Sequence, residues 1–235
     1  MRWRKLLGGM LCANLCMLFC VLFCIPALGA GSKVHVIAFG KWTNAPWSPG
    51  MAEDKVLTLK VRALIVDGRV REYATGVPHD VTDRLFVVRR AFRVNDSLPE
   101  ESEARWRWQR GGWLLVDRLT GHISPINLPE FDAFSSAASW YRDYVAYCGV
   151  SDDGKKTYAM VAQISRRKPV LKKALSNDGL AEDAGPDSAC PAPAWQRGPV
   201  RVSFEVAGTA KQTFSIRGHV VDLVNDAEEE EEGSK

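Results

Sequence analysis

Apolar and polar residues alternate with a period of two over most of the chain, which is typical of half-buried β-strands. The clearest example is a predicted strand over 57–65, in which the odd-numbered positions are apolar and positions 58, 60 and 62 are polar. Asp67-Gly68 follows this run and is a strong signal for a tight hairpin turn. The return strand is predicted from Val70 to Gly76.

Short turn signals separate the further runs. Strands are predicted over 34–39, 85–94, 105–109, 113–117, 123–128, 139–150, 156–164, 170–175, 200–206 and 220–224, with turns at Gly111-Gly112, Thr120-Gly121 and Ser151–Gly154. A short helical turn is expected between Phe131 and Ser139, and no longer amphipathic helix stands out. The pattern predicts an all-β fold of antiparallel hairpins or a meander, forming a sandwich or propeller-like sheets, with little helix.

Two segments resemble β-propeller blades. Gly112–Asp117 with Thr120-Gly121 resembles the inner strand pair of a blade. Tyr144–Tyr147 with the turn Asp152–Lys156 resembles the strand–Asp-Gly-Lys–strand signature of secreted bacterial propellers. The resemblance implies blade-like hairpins in an exported bacterial protein. It does not imply a closed propeller, because blades take about 40–45 residues each and no clean repeat of that length is visible.

The N-terminus has the pattern of a secretory signal peptide. Arg2, Arg4 and Lys5 precede an apolar run over 6–28, which ends at the small-residue sequence Pro26–Ala30. Cleavage is predicted after Gly29, which sends the chain to the periplasm or the extracellular space. The alternative is an uncleaved N-terminal helix that anchors the protein, since a membrane span needs roughly 20 apolar residues.

The cysteines fall into two groups. Cys12, Cys16, Cys20 and Cys24 lie in the N-terminal apolar run, where thiols serve as small hydrophobes. Cys148 and Cys190 remain, 42 positions apart, and a disulfide between them is predicted for an exported chain. The alternative is a buried free thiol, because Cys148 lies within an apolar strand.

Charge changes the picture only slightly. The chain has 31 Lys and Arg against 28 Asp and Glu, a formal net charge of +3. The three basic residues of the predicted signal peptide account for this excess, so the exported part is formally neutral. That balance argues against a nucleic-acid partner. The basic stretch from Arg166 to Lys173 is interpreted as a solvated sheet edge rather than a contact with an anionic polymer or membrane.

Composition predicts five regions. They are a signal peptide at 1–30, a main β domain at 31–175, a loop or linker rich in Asp, Ala, Gly and Pro at 176–199, C-terminal strands that pack on the main domain at 200–225, and a disordered acidic tail at 226–235.

Catalytic signatures are weak. The sequence has neither a Gly-x-Ser-x-Gly nucleophile elbow nor a phosphate-binding glycine loop. His79-Asp80 with Asp83 is interpreted as a capped turn rather than a metal or acid–base site. A glycosidase-like pair of acids would have to come from Asp117, Glu130, Asp132 or Asp143. We expect neither a cofactor nor a metal, and the balance leans away from an enzyme.

Tryptophans carry the most specific hypothesis. Trp106 and Trp108 alternate with Arg105 and Arg107, so a strand here has an aromatic face and a cationic face. These four residues are the candidate binding residues, because aromatic and arginine side chains anchor interfaces. The alternative is that the rings fill a small β core. A mixed arrangement places Trp113 and Trp140 in the core and leaves Trp106 or Trp108 exposed.

The sequence therefore predicts an exported non-catalytic β protein, a binding module of the cell envelope or extracellular space whose partner is a protein or a carbohydrate. The alternative function is a secreted hydrolase that acts on carbohydrate. A membrane contact is expected only if the N-terminal segment stays uncleaved.

Overall fold

A computed structural model describes residues 34–47, 56–176, 190–206, 210–218 and 220–224. The predicted signal peptide and acidic tail, and much of the predicted linker, lie outside these residues, so those expectations stay predictions. Over the described residues the fold is all-β with antiparallel sheets, which confirms the predicted fold class. Among these same residues, no helix has the length and apolar composition that crossing a membrane requires.

The described strands form three sheets. The barrel sheet contains β1 (Ile37–Phe39), β2 (Thr43–Trp47), β3 (Leu57–Val66), β4 (Arg69–Asp80), β5 (Leu85–Asn95), β6 (Trp106–Asp117) and β7 (Ile123–Ile126). The middle sheet contains β8 (Ala138–Tyr141), β9 (Tyr144–Val150), β10 (Thr157–Gln163) and β11 (Leu171–Ser176). The terminal sheet contains β12 (Ala194–Arg197), β13 (Val200–Phe204), β14 (Gln212–Arg217) and β15 (Val220–Leu223).

The barrel sheet curls until it meets itself. Strands β2 to β6 pair in sequence as an antiparallel meander, and one parallel bridge from Trp47 to Trp108 joins β6 back to β2. Farther along the same edge of β6, β7 replaces β2 as the partner. The barrel is therefore closed at the end that contains Trp47 and Trp108, while β7 continues the sheet at the other end.

The buried positions of β3 change along the strand. They are Leu59 and Val61 in its first half, then Leu64 and Val66. The predicted strict alternation through Ile65 is therefore wrong beyond Val61. Leu59 and Val61 belong to one apolar cluster, which also contains Trp47, whereas Leu64 belongs to another, so the two halves of β3 contribute to different parts of the core.

A β-bulge takes the place of one predicted turn. Gly111-Gly112 does not reverse the chain, because β6 runs continuously from Trp106 to Asp117. Here the register with β5 shifts, so that Ala91 pairs with Arg110 while Arg89 pairs with Trp113. The two glycines mark a bulge inside one long strand, a position where glycine is common in sheets.

The middle sheet has apolar side chains on both faces. Val145, Tyr147, Met160 and Ala162 pack against the outer face of β5 to β7, which includes Val87 and Trp113. On the opposite face, Ala146, Cys148, Ala159 and Val161 pack against Val202, Phe204, Phe214 and Ile216 of the terminal sheet. Three layers therefore share two apolar cores, and the middle sheet contributes to both.

Two further predictions change in detail. The predicted strand over 139–150 is two strands, β8 and β9, joined by a tight turn in which Arg142 has a φ of 53°. Strand β12 lies inside the predicted linker at 176–199.

The hairpin turns at Asp67-Gly68 and over 151–154 are where the sequence predicts them. The expected helical turn is a single turn, closed by a hydrogen bond from Ser136 N–H to Asp132 O of 2.8 Å.

Cys148 and Cys190 form a disulfide, which confirms the predicted pairing. Their Cα atoms are 6.3 Å apart, and both residues are fully buried between the middle and terminal sheets. The bond links β9 to the residue that leads into β12. The alternative of a buried free thiol at Cys148 does not apply.

Removing this disulfide should destabilise the fold. The chain-entropy model gives about 4 kcal/mol for a loop of this length, so the C148A/C190A variant should unfold at a markedly lower urea concentration. Dithiothreitol should lower the urea midpoint of the native protein and leave that of the variant unchanged. Equal midpoints for the native protein and the variant without reductant would contradict this prediction.

Gly121 and Gly154 provide a matched test of packing. Both have a positive φ, of 65° and 71°, so alanine at either costs about 1–2 kcal/mol of backbone strain. A Cβ at Gly121 would also lie 2.9 Å from Val66 Cγ1 and 3.1 Å from His35 Cγ, whereas Gly154 has open space. Thermal unfolding should show G121A to be less stable than G154A by about a further 1–3 kcal/mol.

Candidate functional site

The β5–β6 hairpin places an aromatic and cationic cluster at the closed end of the barrel. Arg93 on β5 lies directly opposite Trp108 on β6, and Asn95 lies opposite Trp106. Alternation along β6 puts Trp106 and Trp108 on one face, and the register puts Arg93 on the same face, beside both rings. We call Trp47, Tyr73, Arg93, Trp106 and Trp108 the aromatic end.

The inner members of the aromatic end are fixed by packing. Trp47 is 5 % exposed, and the buried Arg110 guanidinium lies 4.2 Å from the centre of its ring. Trp108 is half-buried and meets Tyr73 edge-on, with ring centroids 5.0 Å apart. The contact with Arg110 therefore holds Trp47 in place, and the contact with Tyr73 holds Trp108 in place.

Trp106 is the exposed member. Its side chain is 58 % exposed although it lies on β6, where it pairs with Asn95 of β5. The Arg93 guanidinium carbon lies 5.7 Å from the Trp106 ring centroid and 5.5 Å from that of Trp108. Both distances are within the range of cation–π attraction, which orients the Trp106 ring without burying it.

Arg105 and Arg107, which the sequence also predicts as binding residues, contact the loop that joins β5 to β6. Arg107 Nε lies 2.7 Å from Asp96 Oδ2, and Arg105 donates to the backbone oxygen of Asp96 at 2.9 Å. Both side chains therefore fasten the loop that joins β5 to β6. The arginine that contacts Trp106 and Trp108 is Arg93. Only the cross-strand register identifies it, because in the sequence it is one of several arginines within an apolar run.

Other tryptophans join the sheets to one another. Trp113 and Trp140 meet edge-on at 5.2 Å in the core between the barrel and middle sheets. His79 stacks on Trp140 at 6.0 Å, and its Nε2–H donates to the Arg142 carbonyl at 2.9 Å. His79 therefore joins β4 to the β8–β9 turn.

Asp80 and Asp83, which the sequence analysis grouped with His79, both contact Arg118. Arg118 donates to the Asp80 carboxylate at 2.6 Å and to the carbonyl oxygens of Thr82 and Asp83 at 3.4 and 3.2 Å. These contacts are those of a fastened turn. Over the ranges that the structure describes, no three His, Cys, Asp or Glu residues are grouped so that they could hold a metal ion.

The four acids considered for glycoside chemistry bind four different partners. Asp117 accepts from Arg84, and Glu130 from Lys172. Asp132 accepts from Ser135 and caps the turn after it, while Asp143 accepts from Gln163 Nε2 at 2.7 Å. Among the described residues, these carboxylates therefore contact basic, hydroxyl, amide or backbone groups, and none contacts another of the four acids.

A cavity of about 480 Å³ lies at the other end of the barrel. Phe39 and Phe86 contribute its apolar wall, and His35 and Arg118 its polar wall. The Nδ1–H of His35 donates to Asp67 Oδ2 at 2.9 Å. Arg118 is already engaged by Asp80 and lies 4.7 Å from the Phe86 ring centroid, so a structural role accounts for its contacts.

Comparisons with known proteins identify no relative of this chain. No family model matches this chain, and the searches of curated proteins and of solved structures find no match. The resemblance of two hairpins to propeller blades therefore stays a prediction.

Asp117 should make the stability of the fold depend on acid pH. The hydrogen bond from Arg84 is the main cause that holds the pKa of Asp117 well below its usual value of 3.8, and the N–H groups of Leu119 and Thr120 add to it. A carboxyl with a lowered pKa in the folded state stabilises the fold above the pKa of the unfolded chain. That stabilisation is lost as pH falls toward the folded pKa.

The measurement is the urea midpoint between pH 6 and pH 2. The native protein should lose stability through this range more steeply than D117N, and D117N should already be less stable at pH 6. D83N is the control, because the Asp83 side chain is exposed and the contact seen there uses the backbone oxygen. Parallel pH curves for the native protein and D117N would refute the prediction.

Proposed function

We propose that this protein is an exported, non-catalytic binding module that holds a protein partner of the envelope or extracellular space at the aromatic end. The observation that carries the proposal is the exposed Trp106 ring, held beside Arg93, which also contacts the packed Trp108 ring. Tryptophan, tyrosine and arginine dominate the binding energy of protein interfaces, where a few residues carry most of it.

The aromatic end is preorganised. Trp106 and Arg93 project from paired strands, and Trp108 is fixed against Tyr73. A binding surface on rigid strands loses little side-chain freedom when a partner docks, so more of the contact energy remains as affinity. A flexible loop carrying the same residues would lose more.

The surroundings of the aromatic end match the organisation of an interface. Val56 and Leu98 are 64 % and 59 % exposed, and the β5–β6 loop adds the exposed acids Glu100, Glu101 and Glu103. Arg105 and Arg107 are already paired with Asp96 in this loop. An apolar and aromatic centre inside a charged rim is the usual layout of protein interfaces.

A protein partner is favoured over a carbohydrate. Arg93 lies over the Trp106 ring, and the Trp108 ring is engaged edge-on by Tyr73. A sugar needs an open ring face to stack on, whereas a protein partner can also use the ring edge, the guanidinium and the charged rim.

Two observations support the rest of the proposal. The Cys148–Cys190 disulfide is typical of proteins outside the reducing cytosol, which agrees with the predicted signal peptide. The four candidate acids are each engaged by a different partner, which favours a binding module over the alternative of a carbohydrate hydrolase. Mass spectrometry of the protein from its natural host tests export, because a mature N-terminus at Ala30 requires signal-peptide cleavage.

Replacing Trp106 by alanine should weaken partner binding by about 30-fold or more, the usual effect of truncating a central interface tryptophan. The assay is cross-linking of the purified protein in the host's envelope and secreted fractions, followed by titration of the captured component. W42A is the matched control, because Trp42 is 46 % exposed and also lies beside an arginine, Arg62, at 4.2 Å.

The outcomes separate the alternatives. Both variants should keep the free energy of unfolding within about 0.5 kcal/mol of the native value, since both rings are exposed. Protease treatment of the fractions should abolish capture if the partner is a protein, whereas loss of capture only after glycosidase treatment would identify a carbohydrate. Equal binding by W106A, W42A and the native protein would refute the aromatic end as the binding surface.

A further inference from the structure

A second cavity lies between the barrel sheet and the middle sheet, apart from the aromatic end. Its volume is about 560 Å³, which is within the usual range of small-molecule sites, about 300–1,000 Å³. Leu115 and the end of β7 form one wall, and the end of β10 with the following turn forms the other.

The inner lining of the cavity is apolar. Leu115, Ile126, Leu128, Ala162 and Ile164 belong to the core shared by the two sheets and also line the cavity. Leu115, Ile126 and Ile164 are only half-buried although they are part of that core. The two sheets therefore separate at this edge and leave a slot with an apolar inner wall. The uncharged polar residues that also line the cavity are Ser124, Asn127, Gln163 and Ser165.

The mouth of the cavity is cationic. Arg166 and Arg167 lie in the turn between β10 and β11, line the cavity and are exposed. Within the described ranges the structure gives neither guanidinium a hydrogen bond or an ion pair. The acid on the neighbouring turn, Asp143, accepts a hydrogen bond from Gln163 at 2.7 Å.

These two arginines differ from the other arginines near the barrel. Arg84 binds Asp117, Arg107 binds Asp96 and Arg118 binds Asp80, so each of those side chains fastens a loop. Among the residues that the structure describes, neither Arg166 nor Arg167 makes a contact of this kind. Their guanidiniums are free to bind an anion, and guanidinium groups match carboxylate and phosphate oxygens in geometry.

We propose that this cavity binds a single-chain amphiphile with an anionic head group. The hydrocarbon chain lies in the slot between the sheets, and the carboxylate or phosphate head lies at Arg166 and Arg167. The apolar lining selects for the chain, and the paired positive charges at the mouth select against cationic and neutral heads. This binding is separate from the partner proposed for the aromatic end.

The test is isothermal titration of the full exported chain with dodecanoate and dodecyl phosphate, both below their micelle concentrations. Both ligands should bind saturably at one site. Dodecylammonium should bind at least tenfold more weakly than dodecanoate, and acetate or inorganic phosphate should show no saturable binding. Equal binding of dodecylammonium would overturn the role of the arginines, and equal binding of acetate would overturn the role of the slot.

Variants connect the binding to this cavity. R166Q/R167Q should weaken dodecanoate binding at least tenfold, while K173Q, an exposed lysine on β11 outside the lining, should bind within twofold of the native protein. N127W places a large ring at the exposed lining residue Asn127 and should block the slot without disturbing the core. Unfolding midpoints should confirm that each variant is folded.

A vesicle experiment distinguishes binding of a free amphiphile from binding of the arginines to a membrane surface. Sedimentation with phosphatidylglycerol vesicles should not bring down the protein at physiological salt. Vesicle binding without dodecanoate binding would show that the arginines contact a lipid surface, and it would overturn the proposal. Native dodecanoate affinity in both R166Q/R167Q and N127W would overturn it as well.

Discussion

The fold depends on burying both faces of the middle sheet. Strands β9 and β10 pair along their whole length, so their backbone groups are satisfied while side chains on both sides are removed from water. Each large apolar side chain buried in this way contributes about 1.5–3 kcal/mol. The barrel sheet and the terminal sheet each need this surface to cover their own apolar face, so the middle sheet holds the other two layers in place.

The sequence predicts much of this fold because alternation and turn chemistry are local. The Asp67-Gly68 turn and the hairpin over 151–154 need only neighbouring residues to specify them. A bulge is different, because it is defined by two strands. Gly111-Gly112 has the composition of a turn, and only pairing with β5 shows that the strand continues. The sequence over 144–150 also does not show that both faces of this strand are buried, because periodicity alone does not identify a strand with two apolar faces.

The candidate site divides in the same way. Alternation along one strand brings Trp106 and Trp108 to one face, and this relation is visible in the sequence. The partner of these rings is Arg93, which belongs to a different strand, so the register is needed to find it. Arg105 and Arg107 have the right chemistry, but a single acid in the adjacent loop already engages them. The slot beside Arg166 depends on two sheets separating in space, for which a linear pattern contains no signal.

The Cys148–Cys190 bond has a consequence for how the chain responds to proteases. The loop that it closes contains all of β10 and β11 as well as the segment that leads to β12. A cut anywhere within this loop leaves two fragments that are still covalently joined. A nicked molecule would therefore keep its full mass on a non-reducing gel and separate into two pieces only after reduction. A single backbone cleavage between Cys148 and Cys190 therefore does not release either fragment.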